Sequence, residues 1–233
     1  MMYGFDSISE FFKVLNNADI HYLVLRNYEN LLEPEMFVDG HGDIDLLCDD
    51  YKKIVKATGA IPFHANPSKP DGDGIHYKIF VNGHSVSLDL RQISDGYYCE
   101  KWERELLNRR IKHECFFVMN QHDYFYTLIY HAILQKRFFS DEYRKRLLLM
   151  SNSIGVSQNI GSEREFIKLL EYFMKENGYS FTYSTDYMVP NRFSLVDATL
   201  IERNNRLKFK HALFDFKVRS IDLLVKLKHT LFH

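Results

Sequence analysis

Two strand patterns joined by an Asn-Gly pair constrain the fold of this chain more than any other feature of its sequence. HYKIFV at 76–81 and HSVSLDLR at 84–91 flank Asn82-Gly83, the dipeptide most favoured in a two-residue hairpin turn because both positions require positive φ. We therefore predict that 76–81 and 84–91 pair as antiparallel strands. One face of the second strand carries four polar residues: Ser85, Ser87, Asp89 and Arg91.

A further strand pattern, GDIDLLC at 42–48, begins with two aspartates one residue apart. Side chains at positions i and i+2 of a strand point to the same face, roughly 6.5–7 Å apart at the Cα atoms, so Asp43 and Asp45 lie side by side. Burying two like charges at that distance is unfavourable unless a cation lies between them. Mg²⁺ is a suitable cation, because it takes carboxylate oxygens together with substrate phosphates.

Asp89 supplies the third carboxylate of the predicted metal site. If its strand lies beside 43–48, three acids converge on one patch, where bound Mg²⁺ or Mn²⁺ activates an attacking oxygen and stabilises a leaving phosphate. The alternative interpretation of D-I-D taken alone is a pair of solvated acids at a strand end. An aspartate in the middle of an alternating strand favours the metal site, with Asp43, Asp45 and Asp89 as ligands and candidate catalytic residues.

The remaining patterns predict an α+β chain. Five segments carry helix or strand signals: a helix after the capping residue Ser7, a strand at 20–26, a helix at 49–59, and helices after Asn120 and Ser162. Beyond about residue 100 the pattern becomes helical. We therefore predict two domains. Residues 1–118 form a small mixed β-sheet with flanking helices, and residues 119–233 form a helical domain.

Composition narrows the class of protein. The chain has 233 residues, of which 45% are hydrophobic and 26% charged, as in an ordinary globular protein. Its formal net charge of -1 gives no overall basic field and does not favour a nucleic-acid partner. Three cysteines without a CxxC pair indicate a reducing compartment. The N-terminal residues lack a signal-peptide pattern and no apolar run reaches ~18 residues, which predicts a cytoplasmic protein.

The spacing of the three acids resembles the pattern of the nucleotidyltransferase superfamily with the polymerase-β-like fold. In that pattern a strand and a loop precede h-D-h-D-h, where h is apolar, and h-D-h follows on a neighbouring strand. YLVLRNYENL, GDIDLLCDDY, LDLR and DYFYTLIYHAILQK resemble the small uncharacterised nucleotidyltransferases found among bacterial surface-polysaccharide genes, over roughly residues 18 to 140. The resemblance implies that Asp43, Asp45 and Asp89 hold two Mg²⁺ ions, with one aspartate near the attacking hydroxyl.

The resemblance also implies the substrates, which are a nucleoside triphosphate donor and a small-molecule or glycan acceptor in surface-polysaccharide synthesis. One departure bears on the donor. Where the superfamily has Gly-Ser or Gly-Gly after the first strand, this chain has Arg26-Asn27. We expect Arg26 to hold phosphate oxygens and Asn27 to replace the serine. Because Arg26-Asn27 replaces the usual pair, two alternatives stay open: the protein transfers a different phosphate-containing group, or it has no catalytic activity.

Three further residues are candidate substrate contacts, each with an alternative interpretation. Lys78, which shares a strand face with His76, either binds phosphate or faces solvent. Arg91, two residues beyond Asp89 on its face, is either a phosphate ligand or the ion-pair partner of an aspartate. His131 lies off the apolar stripe of its helix, and it either reaches the site or is a partly buried, hydrogen-bonded histidine.

The last segment, 203–233, is basic, with eight Lys or Arg against two acids. From 210 to 232 its apolar residues recur at helical spacing around Phe214, Val218, Ile221 and Val225. Such a helix is expected either to lie on an anionic membrane surface, with its lysines reaching the headgroups, or to dock on its own domain. The sequence therefore leaves a peripheral membrane contact through 210–232 open.

Two rival functions stand beside metal-dependent nucleotidyl transfer. One is a toxin-like enzyme of the same chemistry that modifies RNA, which the near-neutral charge disfavours apart from the basic last segment. The other is a non-catalytic module that keeps the fold and binds a partner in glycan assembly. Such a module would bind no divalent ion and no nucleotide.

Overall fold

The structure of the chain, a computed structural model, describes residues 4–33, 42–64, 70–156 and 160–232, except the side chains of 219 and 221–232. The helices of this part are α1 Ile8–Asn17, α2 Tyr51–Thr58, α3 Glu100–Asn108, α4 Gln121–Ile129, α5 Asp141–Ser153, α6 Glu163–Asn177 and α7 Asn205–Phe232. The strands are β1 Tyr22–Val24, β2 Asp43–Cys48, β3 Ile61–Pro62, β4 His76–Val81, β5 His84–Gln92, β6 Ile111–His113 and β7 Phe116–Val118. The predicted α+β class is confirmed.

The chain divides into two compact units. The first is Met1–Asp95 with Glu100–Leu128, and the second is Gly96–Cys99 with Ile129–His233. The first unit holds the strands, and the second holds α5, α6 and α7. The division falls near the end of α4, whereas the sequence patterns place a boundary after residue 118.

The described strands form one mixed sheet in the order β3-β4-β5-β2-β1-β7-β6. β2 lies at its centre, parallel to β5 and antiparallel to β1. The predicted hairpin is confirmed, since β4 and β5 pair antiparallel around Asn82-Gly83, from Val81 opposite His84 to His76 opposite Asp89. Because β5 also pairs with β2, the strand of Asp89 lies beside 43–48, as the predicted metal site requires.

One face of the sheet packs against α1 and α2. Phe12 of α1 lies against the rings of Tyr22 and Phe116, with centroids 5.9 and 4.8 Å away. The buried cluster on this face includes alternate residues of the central strands: Ile44, Leu46, Leu88 and Leu90. Since successive side chains of a strand point to opposite faces, Asp45 and Asp89 lie on the other face.

Three short strands are not predicted by the sequence patterns. β6 and β7 form a hairpin, and β7 extends the sheet by pairing parallel to β1. Their turn is Glu114-Cys115, in which Glu114 has a φ of 50°, a conformation that few residue types favour and that no Gly or Asn signals here. The helical character expected beyond residue 100 is therefore interrupted at 111–118. β3 is a two-residue strand at the opposite edge, paired with β4.

Hydrogen bonds confirm the predicted helix starts. The Ser7 hydroxyl accepts from the Glu10 N–H at 3.2 Å, the Asn120 side-chain oxygen accepts from the N–H three residues on, and Ser162 forms a reciprocal capping box with Glu165.

The long helix after Asn120 differs from its prediction. It begins as α4, changes to a π-helical turn at Tyr130–Leu134 and ends there. His131, expected to lie off the apolar stripe of this helix, is buried, and so are Tyr124 and Gln135.

The predicted terminal helix is present as α7, 28 residues long. His211 anchors its first turns within the second unit, because this side chain is buried and its Nε2 lies 2.7 Å from the backbone oxygen of Ser184. Much of the predicted membrane contact falls on side chains outside the described residues, at 219 and 221–232. In the part of the chain that the structure describes, no helix combines the length and apolar character that crossing a bilayer requires.

Candidate metal centre

Three aspartates meet on one face of the sheet, at the adjacent strands β2 and β5. One carboxylate oxygen from each of Asp43, Asp45 and Asp89 lies within 4.8 Å of the other two. Asp45 is directly opposite Asp89 in the parallel pair, whereas Asp43 is opposite Ser87. Asp43 is exposed, Asp89 is half-buried and Asp45 is only 4% exposed. The cluster therefore has a buried inner end and an open outer end.

The sequence of β2 explains why Asp45 is buried. Leu46, Leu47 and Cys48 follow it directly and are each 0% exposed, which fixes β2 as a central strand covered on both faces. Asp45 directly precedes this run in the same strand and is therefore buried with it. Asp43, the first residue of the strand, stays exposed. Burying a charged carboxylate beside apolar side chains is unfavourable unless it is paired with a cation.

The hairpin adds a histidine to the same row of the sheet. His76 of β4 pairs with Asp89, so Asp45, Asp89 and His76 lie on three neighbouring strands. His76 Nδ1 lies 2.6 Å from Asp73 Oδ2, and Asp73 Oδ1 accepts the His76 backbone N–H. The sequence patterns identify His76 only as a neighbour of Lys78 and do not identify Asp73. The sequence does contain a signal for the position of His76, because a two-residue turn at 82–83 places residue 76 opposite residue 89.

The environment of Asp89 disfavours its negative charge. Burial, first, and the neighbouring charge of Asp45, second, raise the pKa of Asp89 to about 6. Arg91 and His76 oppose this rise, and Asp43 adds to it. At neutral pH the fold therefore holds a carboxylate whose charge is poorly compensated. A cation bound among the three aspartates would compensate it.

Arg26 contacts the cluster from the end of β1. Its Nη2 lies 3.0 Å from Asp45 Oδ1, and the two side chains are 11% and 5% exposed. This contact is an ion pair without hydrogen-bond geometry, and within the described residues Asp45 Oδ1 accepts no hydrogen bond. The Leu25 N–H donates to the Asp45 backbone oxygen at 2.9 Å, which holds the two segments together. Asn27 follows with a φ of 56°, in the left-handed region that asparagine tolerates.

The other two basic candidates of the sheet occupy different positions. Arg91 Nη2 lies 4.0 Å from Asp89 Oδ2, and the Arg91 side chain is only 4% exposed, which favours the ion-pair interpretation over a phosphate contact. Lys78 is opposite Ser87, which is in turn opposite Asp43. Lys78 is half-buried at the open end of the cluster, and its contact with phosphate stays a prediction.

His131 belongs to the second unit. Its side chain is 5% exposed, and its Nδ1 lies 3.2 Å from the Tyr97 hydroxyl and 3.3 Å from Gln135 Oε1. Its ring meets that of Tyr143 edge to face. These contacts match the interpretation of a buried, hydrogen-bonded histidine, and the role of His131 in substrate binding stays a prediction.

The donor set fits a hard divalent cation. All three side chains offer carboxylate oxygens, which Mg²⁺ and Mn²⁺ prefer over the nitrogen and sulfur ligands typical of zinc. The buried Asp45 oxygen without a hydrogen bond is the second feature that fits, since a metal would complete its coordination. Asp43, Asp45 and Asp89 are the residues that would hold the ion.

No family model, curated protein or solved structure matches this chain. The resemblance to nucleotidyltransferases therefore remains a prediction from motifs.

Proposed function

We propose that this chain is a metal-dependent transferase that moves a nucleotidyl or phosphoryl group from a nucleoside triphosphate to a hydroxyl of a small molecule or glycan. The observation that carries the proposal is the convergence of Asp43, Asp45 and Asp89, with ligand oxygens within 4.8 Å of one another. The raised pKa of Asp89, about 6, is further support, because perturbed acids cluster at functional sites. A role in surface-polysaccharide synthesis rests on the sequence resemblance alone.

Mg²⁺ or Mn²⁺ held by the aspartates would supply positive charge to the transferring phosphate and the attacking oxygen. Asp89 accepts the proton of the acceptor hydroxyl, a task that suits a carboxylate with a pKa of about 6. The acceptor oxygen then bonds to a donor phosphorus. Attack at the α-phosphorus releases pyrophosphate, and attack at the γ-phosphorus releases a nucleoside diphosphate. We assign Lys78 and Asn27 to the donor's phosphate oxygens.

Calorimetric titration of ATP, GTP, CTP and UTP, each with and without Mg²⁺, tests this proposal on the wild type and on Asp43→Asn. Asp43 is exposed, so its amide variant should fold normally. We expect binding that needs both Mg²⁺ and Asp43, with the preferred base naming the donor. Asp71→Asn, an exposed aspartate outside the cluster, is the matched control and should bind as the wild type does. Equal binding by Asp43→Asn would contradict the proposal.

The Arg26–Asp45 ion pair favours a second candidate, a non-catalytic module with the same fold. A guanidinium 3.0 Å from Asp45 Oδ1 already supplies positive charge to one of the three aspartates. In such a module Arg26 would take the place of the metal. The face of the sheet that carries the aspartates would then bind a partner in glycan assembly. The same titration separates the two candidates, because this module binds neither Mg²⁺ nor a nucleotide.

A further inference from the structure

An apolar stripe runs along the outer side of α7. Phe209, Leu213 and Phe216 follow one another at i, i+4 and i+7, which places them on one face of a helix. They are 68%, 58% and 70% exposed. Three large apolar side chains in a row, each more than half exposed, form a surface that water solvates poorly.

The opposite side of α7 is the one that docks on the second unit. His211 is buried there, with Nδ1 2.8 Å from the Asn191 side-chain nitrogen and Nε2 2.7 Å from the Ser184 oxygen. Phe214 and Val218 are partly buried and border a cavity of about 410 Å³. The apolar arc that the sequence centres on these two residues therefore faces its own unit in this part of the helix, and the outward stripe is a different one.

Basic side chains lie on both sides of the stripe. At helical spacing, Arg206 and Lys217 fall on one flank and Lys208 on the other, and all three are exposed. Asp215, the acid among the described side chains of α7, follows Lys208 at i+7 and so lies on the same flank as that lysine. Lys210 contacts its own unit, since its Nζ donates to the Tyr187 hydroxyl at 2.9 Å. The outward face of α7 is therefore apolar at its centre, cationic on the flank of Arg206 and Lys217, and of mixed charge on the flank of Lys208.

We propose that this face binds the surface of an anionic phospholipid bilayer, with α7 lying parallel to the membrane plane. Phe and Leu side chains would enter the boundary of the acyl chains, while the long Arg and Lys side chains extend sideways to lipid phosphates. Charge disfavours a second copy of this chain packed antiparallel on the face, because the cationic flank of Arg206 and Lys217 would meet the same flank of the other copy. A nucleic acid would use the cations but leave the apolar centre without a partner. The proposal does not depend on the proposed activity, since the face belongs to the second unit.

Co-sedimentation of the full chain with vesicles tests the proposal. We expect binding to vesicles of phosphatidylcholine mixed with phosphatidylglycerol, and little binding to phosphatidylcholine alone. The triple variant Phe209→Ser, Leu213→Ser, Phe216→Ser should lose roughly tenfold or more in affinity for the anionic vesicles. Exchanging the three cations Arg206, Lys208 and Lys217 for Gln should weaken binding by a similar factor and reduce its sensitivity to salt.

A matched control separates this face from general surface hydrophobicity. Phe138, Leu149 and Tyr172 are 73%, 73% and 65% exposed elsewhere in the second unit, so the triple serine variant of these residues loses similar apolar area. This control variant should bind vesicles as the wild type does. Circular dichroism shows whether every variant is folded, and light scattering measures its oligomeric state. Equal loss in both triple variants, or no binding of the folded wild type to anionic vesicles, overturns the proposal. A wild-type dimer that only the α7 variant converts to a monomer, without any vesicle binding, assigns the face to a second copy instead.

Discussion

Asp45 of β2 lies directly opposite Asp89 of β5, on two parallel strands at the middle of the sheet. Opposed residues of neighbouring strands have their Cβ atoms only about 5 Å apart, where like charges repel. Arg26 forms an ion pair with Asp45, and Arg91 lies near Asp89, which reduces this repulsion. Two basic residues thus offset part of a charge cluster that also includes Asp43.

Replacing Asp89 by Asn should stabilise the protein when no divalent metal is present. A pKa raised to about 6 means that the charged form of Asp89 is disfavoured in the folded state. Its neutral isostere should therefore raise the free energy of unfolding by about 1–2 kcal/mol at neutral pH, allowing for a side chain that is 26% exposed. Urea unfolding in the presence of a chelator measures this difference. Asp71→Asn is the control, with no change expected.

Added Mg²⁺ should make the wild type more stable than Asp89→Asn, the reverse of the order expected without metal. The wild type gains stability by binding the ion in its native state, whereas Asp89→Asn lacks a ligand and gains little. If Mg²⁺ stabilises both proteins equally, Asp89 does not contribute to a metal site.

The effect of Asp89 on stability should depend on pH with a definite sign. The folded-state pKa of about 6 lies above the ordinary value of 3.8, so the folded state binds the proton more readily than the unfolded state. The stability that this protonation contributes is fully present below about pH 4 and is lost as the pH rises through about 6. Chelator-treated wild type should therefore be closest to Asp89→Asn in stability at low pH and fall below it above pH 6. A stability difference that is constant across this range would contradict the raised pKa.

Replacing Arg26 by Gln should destabilise the metal-free protein and improve its affinity for Mg²⁺. The Arg26 and Asp45 side chains are 11% and 5% exposed, and removing one partner of a buried ion pair leaves an uncompensated charge that costs about 3 kcal/mol. Mg²⁺ can supply the missing charge, so it should restore most of the lost stability. Thermal unfolding with and without Mg²⁺, together with a calorimetric Mg²⁺ titration, measures both effects.

Arg104→Gln is the matched control for the ion pair. Arg104 pairs with Glu100 on the surface, where the two side chains are 57% and 51% exposed, and its loss should cost less than about 1 kcal/mol. An Arg26→Gln protein that keeps its stability but loses nucleotide affinity would instead identify Arg26 as a phosphate ligand.

Two glycines with similar positive φ angles should respond differently to substitution by alanine. Gly83 and Gly96 have φ values of 79° and 74°, so alanine is strained by a similar amount, about 1 kcal/mol, at each. A Cβ atom on Gly83 would meet nothing within 4 Å, whereas on Gly96 it would lie 2.4 Å from the Tyr183 backbone oxygen. Gly96→Ala should therefore cost about 3 kcal/mol or more in unfolding free energy, as measured by chemical denaturation. Equal costs would show that the contact with Tyr183 yields easily.

More of the geometry of the aspartate cluster can be predicted from the sequence than of the rest of the molecule. The Asn82-Gly83 turn fixes the β4–β5 register and, with it, the position of Asp89 opposite His76. The alternation of polar and apolar residues assigns Asp43, Asp45 and Asp89 to faces of their strands. Each of these signals is local, because it depends on residues close together in the chain.

The pairings between distant segments have no such signal. The parallel pairing of β2 with β5 brings Asp45 opposite Asp89, and it arises from burial of the whole sheet against α1 and α2. The Glu114-Cys115 turn adopts a conformation that its residue types do not announce, so β6 and β7 are visible only in the folded chain. Arg26 likewise meets Asp45 across two strands that a long connection separates in sequence.

The sequence by itself determined the hairpin, the helix caps, the faces of the strands and the three carboxylates, because these follow from backbone preference and side-chain period within a few residues. Only the tertiary structure decided which strands are neighbours, that Arg26 lies against Asp45, and that Phe209, Leu213 and Phe216 rather than Phe214 and Val218 face outward on α7. The physical reason is that apolar burial is non-directional. It selects among the ways of packing whole elements together, and only the complete set of contacts decides which side of each element is covered.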